Sequence, residues 1–361
     1  STRWELRCHR CHNGCCNDVV PVQALPMPTS PTPSRSPDRS DPTLTTAAQI
    51  GAALPHLLGF HPEQSIICLW LKDRQVVVTQ RADAPDDEQF RDYAGALFAP
   101  VRARDVDEVS VVYVAQEPAV PDALVRGVAQ ECQAPVRLHL HMRGAQIREC
   151  SPGHDHGESW RWISTKERQQ AAAYFTAKHA PHPARTRQAV AEELSYRPRD
   201  GDVETDDRAR HLIGLDDLMA ALMCSPLRVS ADVLRASVCS VAARDAVVRC
   251  AARMTVVDRR ALLRHLVEAL AATAPGRGAT IATATAVVAW LCGDGVRANV
   301  AIDRCLIEDP DNYMGTLIAG IVRHGVSPFE VESMLREMPE ETLNSGECRV
   351  DGVRPRRYSP R

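Results

Sequence analysis

The chain has 361 residues, of which 44% are hydrophobic and 25% are charged, the composition of an ordinary globular protein. Its length suffices for two domains, because one hydrophobic core rarely grows beyond about 250–300 residues. The net charge of −3 does not indicate nucleic acid or an anionic membrane as the main partner, although it allows a local basic patch. No apolar run reaches the ~20 residues that span a bilayer, and no export signal follows Ser1. We therefore expect a soluble, cytoplasmic protein.

Both ends of the chain have compositions that do not favour a fold. Seven prolines lie among Ser, Thr and Arg in residues 21–42, so we predict a disordered leader over residues 1–41. After about Leu343 five arginines stand against two acidic residues, which predicts a disordered basic tail over residues 341–361. The leader also carries residues with the spacing of a small zinc knot, namely Cys8, His9, Cys11, His12, Cys15 and Cys16. The Pro-rich segment separates these residues from the ordered chain, which favours a disordered leader that binds no metal over a zinc knot.

Residues 42–164 predict an α/β domain, a mixed sheet with flanking helices. A first helix, capped by Thr43 or Thr45, is followed by Pro55 and Gly59, which predict its end. Apolar or alternating runs predict the strands Ser65–Leu71, Gln75–Ala82, Glu108–Ala115, Pro135–Arg143, Ala145–Glu149 and Ser159–Ser164. Amphipathic stretches predict the helices Asp86–Ala99 and Val120–Cys132. This order of elements predicts strands and helices packed in layers.

From Thr165 onward the apolar period changes from 2 to 3.6, which predicts an α-helical domain over residues 165–340. The helical stretches are Lys166–Lys178, Ala184–Leu194, Asp206–Cys224, Val256–Ala272, Thr280–Cys292, Ala298–Ile307, Tyr313–Arg323 and Pro328–Glu337. Pro and Gly residues between them have the spacing of turns in antiparallel helix pairs. Trp290–Asn312 resembles one tetratricopeptide-type helix pair, but a bundle with alanines along its seam explains the same residues.

Four segments of the chain have a distinctive wording: LPHLLGFHPEQSIICLWL (Leu54–Leu71), PARTRQAVAEEL (Pro183–Leu194), VAARDAVV (Val241–Val248) and AWLCGDGVRANVAIDRCLIEDPDNY (Ala289–Tyr313). They resemble the DUF4192 family, an actinobacterial domain of unknown function. The resemblance extends over roughly residues 41–335 and thus over both halves. It implies no activity, cofactor or catalytic residue, because the family has none assigned.

Two clusters of polar side chains are candidate sites. His56, His61, Glu63 and Ser65 surround the loop into the first strand, where a binding loop or a sharp structural turn explains them. His139 and His141 alternate on one strand face, and His154 and His156 follow in the next loop. Such a set could bind zinc and support hydrolysis. Arg137 and Arg143 on the same face favour a solvated basic surface instead.

No phosphate-binding loop or nucleophile elbow is present in the sequence. We therefore predict a non-enzymatic regulatory or interaction protein whose helical half binds another protein. The alternative is a metal-dependent hydrolase that uses the four histidines at the edge of the sheet, with zinc as its cofactor.

Overall fold

The computed structural model describes residues 46–84, 106–116, 134–150, 159–198 and 211–337, apart from residues 74 and 179. It also describes the strand Asn17–Pro21 and the single residues Leu44, Gly127, Gln130 and Cys132. The predicted helix Asp86–Ala99, most of the predicted helix Val120–Cys132, the cysteines near the start and the basic tail lie outside these residues.

Helix α1 spans Ala47–Leu58 and begins with a capping box. Thr46 Oγ1 accepts a hydrogen bond from the Gln49 amide at 3.2 Å, and Gln49 Oε1 accepts one from the Thr46 amide at 3.1 Å. Pro55 lies inside the helix, so the prediction that it ends the helix is wrong. The proline removes one backbone hydrogen bond, but its ring and most of its neighbours are buried, and this packing offsets the loss. The helix ends where Gly59 adopts a φ of 78°.

The described strands form one mixed sheet in the order β1-β3-β2-β4-β5-β6-β7. The strands are β1 (Asn17–Pro21), β2 (Ser65–Lys72), β3 (Gln75–Asp83), β4 (Glu108–Val114), β5 (Val136–Arg143), β6 (Gln146–Glu149) and β7 (Arg161–Trp162). Strands β4 and β5 are parallel, and all other neighbours are antiparallel. The predicted mixed sheet is confirmed. Strand β1 was not predicted, because its five residues lie in the segment whose composition indicates a leader.

The two faces of the sheet bury different side chains. One face belongs to the same buried cluster as α1 and includes Ile67, Leu69, Leu71, Val112 and Leu140. The opposite face holds a second cluster with Ile66, Cys68, Trp70, Val111 and Tyr113. Because both faces of β2 are buried, its sequence is a continuous apolar run and does not alternate.

The rest of the described chain is helical, as predicted. Its helices are α2 (Thr165–Ala177), α3 (Arg187–Leu194), α4 (Leu215–Leu222), α5 (Ala231–Ser237), α6 (Val241–Arg253), α7 (Val256–Ala271), α8 (Ala279–Leu291), α9 (Gly295–Glu308), α10 (Tyr313–Arg323) and α11 (Pro328–Glu337). The change from strands to helices falls at Thr165. Among the described helices, none is long and apolar enough to cross a bilayer.

The sequence did not predict α5 or α6. Every residue of α6 from Ala243 to Ala252 is buried, so the helix lacks the alternation of apolar and polar faces that reveals a helix. Three of these residues are charged, namely Arg244, Asp245 and Arg249, and the first two pair with each other: Arg244 Nη2 lies 2.6 Å from Asp245 Oδ1. The ion pair allows charged residues to occupy a buried helix.

The hydrophobic core does not divide where the strands give way to helices. One cluster of buried side chains includes α1, one face of the sheet and the helices α3 to α11. At this junction the Ala184 amide donates to the Gly59 carbonyl at 2.8 Å, and the His61 amide donates to the Ala184 carbonyl at 3.1 Å. Nearby, Arg297 of α9 bonds Asp294 and Glu193, each at 2.6 Å. Backbone pairing therefore joins the two halves, beside an ion-pair network that lies within the helical half.

Candidate functional site

The loop between α1 and β2 is attached to β3 through the side chain of Ser65, and its role as a binding loop stays a prediction. Ser65 is only 1% exposed, and its Oγ donates to the Glu63 carbonyl at 2.6 Å. The same oxygen accepts a hydrogen bond from Arg81 Nε at 2.9 Å, and the Arg81 guanidinium lies over the Phe60 ring. The Ser65 hydroxyl thus holds Arg81 under the loop. Glu63 itself is exposed.

His56 lies in a small cluster of histidines at the junction of α1 and α2. Its ring stacks on Phe175 with centroids 5.0 Å apart and the planes within 5°. Burial lowers the pKa of His56, and the charges of His182 and His61 lower it further. Sequence reasoning missed His182, because it lies more than a hundred residues from His61 and only the fold brings them together. Across the part of the chain that the structure describes, no three His, Cys, Asp or Glu side chains are arranged to hold a metal ion.

The protein is expected to lose stability as the pH falls below about 6.5, the ordinary pKa of an unfolded histidine. The folded state lowers the pKa of His56, so the unfolded chain binds the proton more tightly and acid favours unfolding. His56→Phe keeps a ring against Phe175 but cannot be protonated. Urea midpoints between pH 5 and pH 8 should therefore vary less in this variant than in the parent. An unchanged pH profile in His56→Phe, or an equal flattening in the exposed-site control His324→Gln, would contradict this assignment.

His139 and His141 of β5 lie on the same face of the sheet as Tyr113 of β4. His139 Nδ1 shares a hydrogen bond with the Tyr113 hydroxyl at 3.1 Å, and burial lowers the pKa of His139. His141 is fully buried, and its ring packs against Trp160 in a T-shaped arrangement with the ring centroids 4.9 Å apart. This part of the face is packed by aromatic side chains and is not a solvated surface. His154 and His156 lie outside the described residues, so the zinc hydrolase stays a prediction that metal analysis of the purified protein would test.

Tyr113, which contacts the His139 ring, and Cys150, whose amide donates to the His139 carbonyl at 2.8 Å, were not singled out from the sequence. Burial, with the nearby thiols of Cys68 and Cys150, raises the pKa of Tyr113 well above its ordinary value. Burial also raises the pKa of Cys150 to about 11, although the Arg148 charge opposes the rise. These groups are neutral at physiological pH, and a protonated thiol is a poor nucleophile.

The sheet ends beyond β5 in a surface of arginine and tryptophan side chains, here called the aromatic-basic edge: Arg143, Gln146, Arg148, Trp160 and Trp162. The Arg143 and Arg148 guanidinium carbons lie 4.9 Å and 4.8 Å from the centroid of the Trp160 ring. Trp162 pairs across the strands with Gln146 and is 67% exposed. The edge therefore presents two half-buried cations and an open indole to solvent.

The last helix carries apolar side chains on two faces. Pro328, Val331 and Leu335 are buried against the core. The outer side forms a shallow groove, here called the α11 groove, lined by Phe329, Glu330, Ser333, Met334 and Glu337. Phe329 is 64% exposed and Met334 is 48% exposed. Exposed aromatic and methionine side chains bordered by polar ones are typical of binding surfaces.

The segment Trp290–Asn312, which resembles a tetratricopeptide-type pair, contains the end of α8, all of α9 and the residue that starts α10. Helices α8 and α9 pack against each other with Ala289, Ala298 and Ala301 buried. Asn312 then starts α10, because its Oδ1 accepts a hydrogen bond from the Gly315 amide at 2.9 Å. These contacts explain the segment as helix packing. A peptide groove at this pair stays a prediction.

Comparison with known proteins gives one match. The family model described as "Domain of unknown function (DUF4192)" matches residues 48–165 and 163–329. No curated protein and no solved structure matches the chain. The matched residues lie within the range over which the sequence resembles this family, and they include α1, the strands β2 to β7 and the helices α2 to α10. The chain therefore belongs to the DUF4192 family, a domain of unknown function.

Proposed function

We propose that this protein is a non-enzymatic regulatory or interaction protein, and that its helical half binds a partner protein in the α11 groove. The exposure of Phe329 and Met334 carries this proposal. Both side chains lie on the exposed side of a helix whose opposite face is buried against the core. Covering a side chain of this size contributes roughly 1.5–3 kcal/mol to binding.

The lining of the groove indicates the chemistry of the partner. Phe329 and Met334 would receive apolar side chains, and aromatic anchors of this kind dominate the energy of many interfaces. The carboxylates of Glu330 and Glu337 line the same groove and favour basic side chains. A segment that presents apolar residues on one face and Lys or Arg beside them, such as an amphipathic helix, fits this surface.

The proposal is tested by placing a photo-cross-linking amino acid at Ser333 of the full chain in cells and identifying the adducts. The same amino acid at Val257, an exposed position on α7, is the control. The partner identified only in the Ser333 adduct is then purified without the cross-link, and its affinity for the protein is measured by calorimetry. A partner that binds in the groove should bind the double variant F329A/M334A at least about tenfold more weakly.

A matched pair of exposed apolar residues outside the groove provides the second control. Leu212 and Met223 are 56% and 53% exposed, and the variant L212A/M223A should bind the partner as the parent does. The proposal is wrong if Ser333 gives no adduct beyond those at Val257. It is equally wrong if both double variants bind alike.

A further inference from the structure

We propose that the outer edge of strand β3 binds an extended segment of another protein, and that strand β1 of this chain occupies the edge until such a segment displaces it. This inference does not depend on the α11 groove. It rests on the position of β1 in the sheet, on the place of β1 in the chain and on one buried hydroxyl group of β3.

Strand β1 lies in a groove that accepts an extended backbone. It pairs antiparallel with β3 over five residues, from Asn17 opposite Ala82 to Pro21 opposite Val78. It also lies against α9 and α10, so the edge of β3 has a helical wall beside it. Backbone hydrogen bonds of this kind form with any extended segment, because they do not depend on its side chains. The position of β1 therefore shows that the edge has room for an added strand.

Strand β1 lies outside the part of the chain that the family model matches. That match begins at residue 48, and it includes the strands β2 to β7. The connection from β1 to α1, residues 22–46, has about 25 residues, whereas connections longer than about 12–15 residues are uncommon within a compact domain. A strand on so long a tether can leave the sheet and return while the other strands stay paired.

The composition of β1 favours weak pairing. Three of its five residues, Asn17, Asp18 and Pro21, are of types that strands generally lack. Proline also has no amide hydrogen to donate to a neighbouring strand. A segment of another protein that is longer, or richer in β-branched residues, can therefore pair with β3 more strongly than β1 does.

Thr79 of β3 indicates what such a segment would present. Its side chain is fully buried, and its Oγ1 has no hydrogen-bond partner among the residues that the structure describes. Val20 is the β1 residue directly opposite Thr79 in the register, and valine has no hydroxyl group. Threonine or serine at that position would supply a partner, because hydroxyl groups directly opposite each other form hydrogen bonds across strands. The segment that fits best is thus β-branched, with a hydroxyl opposite Thr79.

The test compares the full chain with a full-chain variant in which β1 cannot pair. In V19P/V20P two neighbouring residues lose their amide hydrogens, and one of these two amides faces β3, because successive amides of a strand point in opposite directions. Ala24→Pro, which lies outside β1, is the matched control. The probes are two fluorescein-labelled peptides: NDVVPVQA, which copies residues 17–24, and NDVTPVQA, which has threonine opposite Thr79.

We expect the anisotropy of both peptides to rise with V19P/V20P. The parent and Ala24→Pro should bind them at least about tenfold more weakly, since their own β1 competes at an effective concentration of order millimolar. NDVTPVQA should bind V19P/V20P roughly two- to tenfold more tightly than NDVVPVQA, the effect of one additional hydrogen bond. Hydrogen exchange locates the binding: β3 amides should exchange faster in V19P/V20P than in the parent, and slow again when peptide is added.

The proposal is overturned if neither peptide binds V19P/V20P, if the parent binds them equally well, or if binding leaves the exchange of β3 unchanged. Circular dichroism adds another test, because unfolding of V19P/V20P would show that β1 is an integral strand and not an exchangeable one. Equal affinities of the two peptides would overturn the preference for a hydroxyl opposite Thr79.

Sedimentation of the parent distinguishes another protein from a second copy of this chain. We expect the parent to remain a monomer at about 100 μM, because its tethered β1 competes at an effective concentration of order millimolar. A dimer of the parent that V19P/V20P abolishes would assign the β3 edge to β1 of a second copy, and would overturn the proposal that the edge serves another protein.

Discussion

Replacing Arg259 by alanine is expected to lower the free energy of unfolding by about 3–5 kcal/mol. The side chain is 3% exposed and bonds the ends of two helices. Its Nε donates to the Ala251 carbonyl of α6 at 2.8 Å, and its Nη1 donates to the Leu291 carbonyl of α8 at 3.1 Å. Nη1 also bonds Glu332 of α11 at 2.9 Å. The truncation leaves these buried acceptors without their donor.

Arg264→Ala on the same helix is the matched control, because Arg264 is exposed and its loss should cost no more than about 0.5 kcal/mol. Arg259→Lys keeps the charge but cannot reach several carbonyls at once, so we expect an intermediate loss. Urea unfolding followed by circular dichroism measures all three variants. Equal stabilities of Arg259→Ala and Arg264→Ala would show that the buried hydrogen bonds of Arg259 contribute nothing net.

Arg259 illustrates how this chain builds a core from small residues. Only 4% of its residues are aromatic, and the alanine-rich helices pack closely enough to bury their own ends. Buried helix ends leave carbonyl groups that water cannot reach. Arginines take the place of water: Arg304 donates to the carbonyls of Leu194, Leu270 and Thr273. The abundance of arginine in the helical half thus reflects carbonyl capping as well as surface charge.

The sequence predicted those elements whose burial follows a regular period. The alternation of β5 and the apolar run of β2 are local patterns, and both strands were predicted within a residue or two. Helix α6 was missed because Arg244 and Asp245 satisfy each other inside the core, which hides the helical period. Strand β1 was missed because its pairing with β3 joins residues about sixty positions apart.

The candidate sites show more clearly that a local sequence pattern does not predict contacts between distant segments. The alternation of β5 placed His139, His141 and Arg143 on one face, but it could not show that Trp160 covers His141. The aromatic-basic edge needs Arg148 and Trp160, which come from the next strand and from the segment before β7. Contacts between segments that are distant in sequence depend on the sheet order, which no local pattern contains.

Trp290 and Trp70 are both buried, and replacement by phenylalanine is expected to destabilise the protein less at Trp290 than at Trp70. Trp290 is fully buried, and its Nε1 has no hydrogen-bond acceptor among the residues that the structure describes. Trp290→Phe removes this unsatisfied donor, a gain of about 1–3 kcal/mol that offsets the smaller ring. We therefore expect a net change within about 1 kcal/mol. Trp290→Ala, which leaves a large cavity, should cost about 3–5 kcal/mol.

Trp70 provides the matched comparison. It is 2% exposed, and its Nε1 donates to Gln80 Oε1 at 3.2 Å. Trp70→Phe therefore loses ring volume and also leaves the buried Gln80 oxygen without this donor, so it should cost about 1–3 kcal/mol more than Trp290→Phe. Urea unfolding of the two variants measures the difference. Trp290→Phe should not prove as destabilising as Trp70→Phe if Trp290 Nε1 is unpaired. Equal losses would mean that Trp290 Nε1 donates a hydrogen bond to a partner that the described residues do not supply.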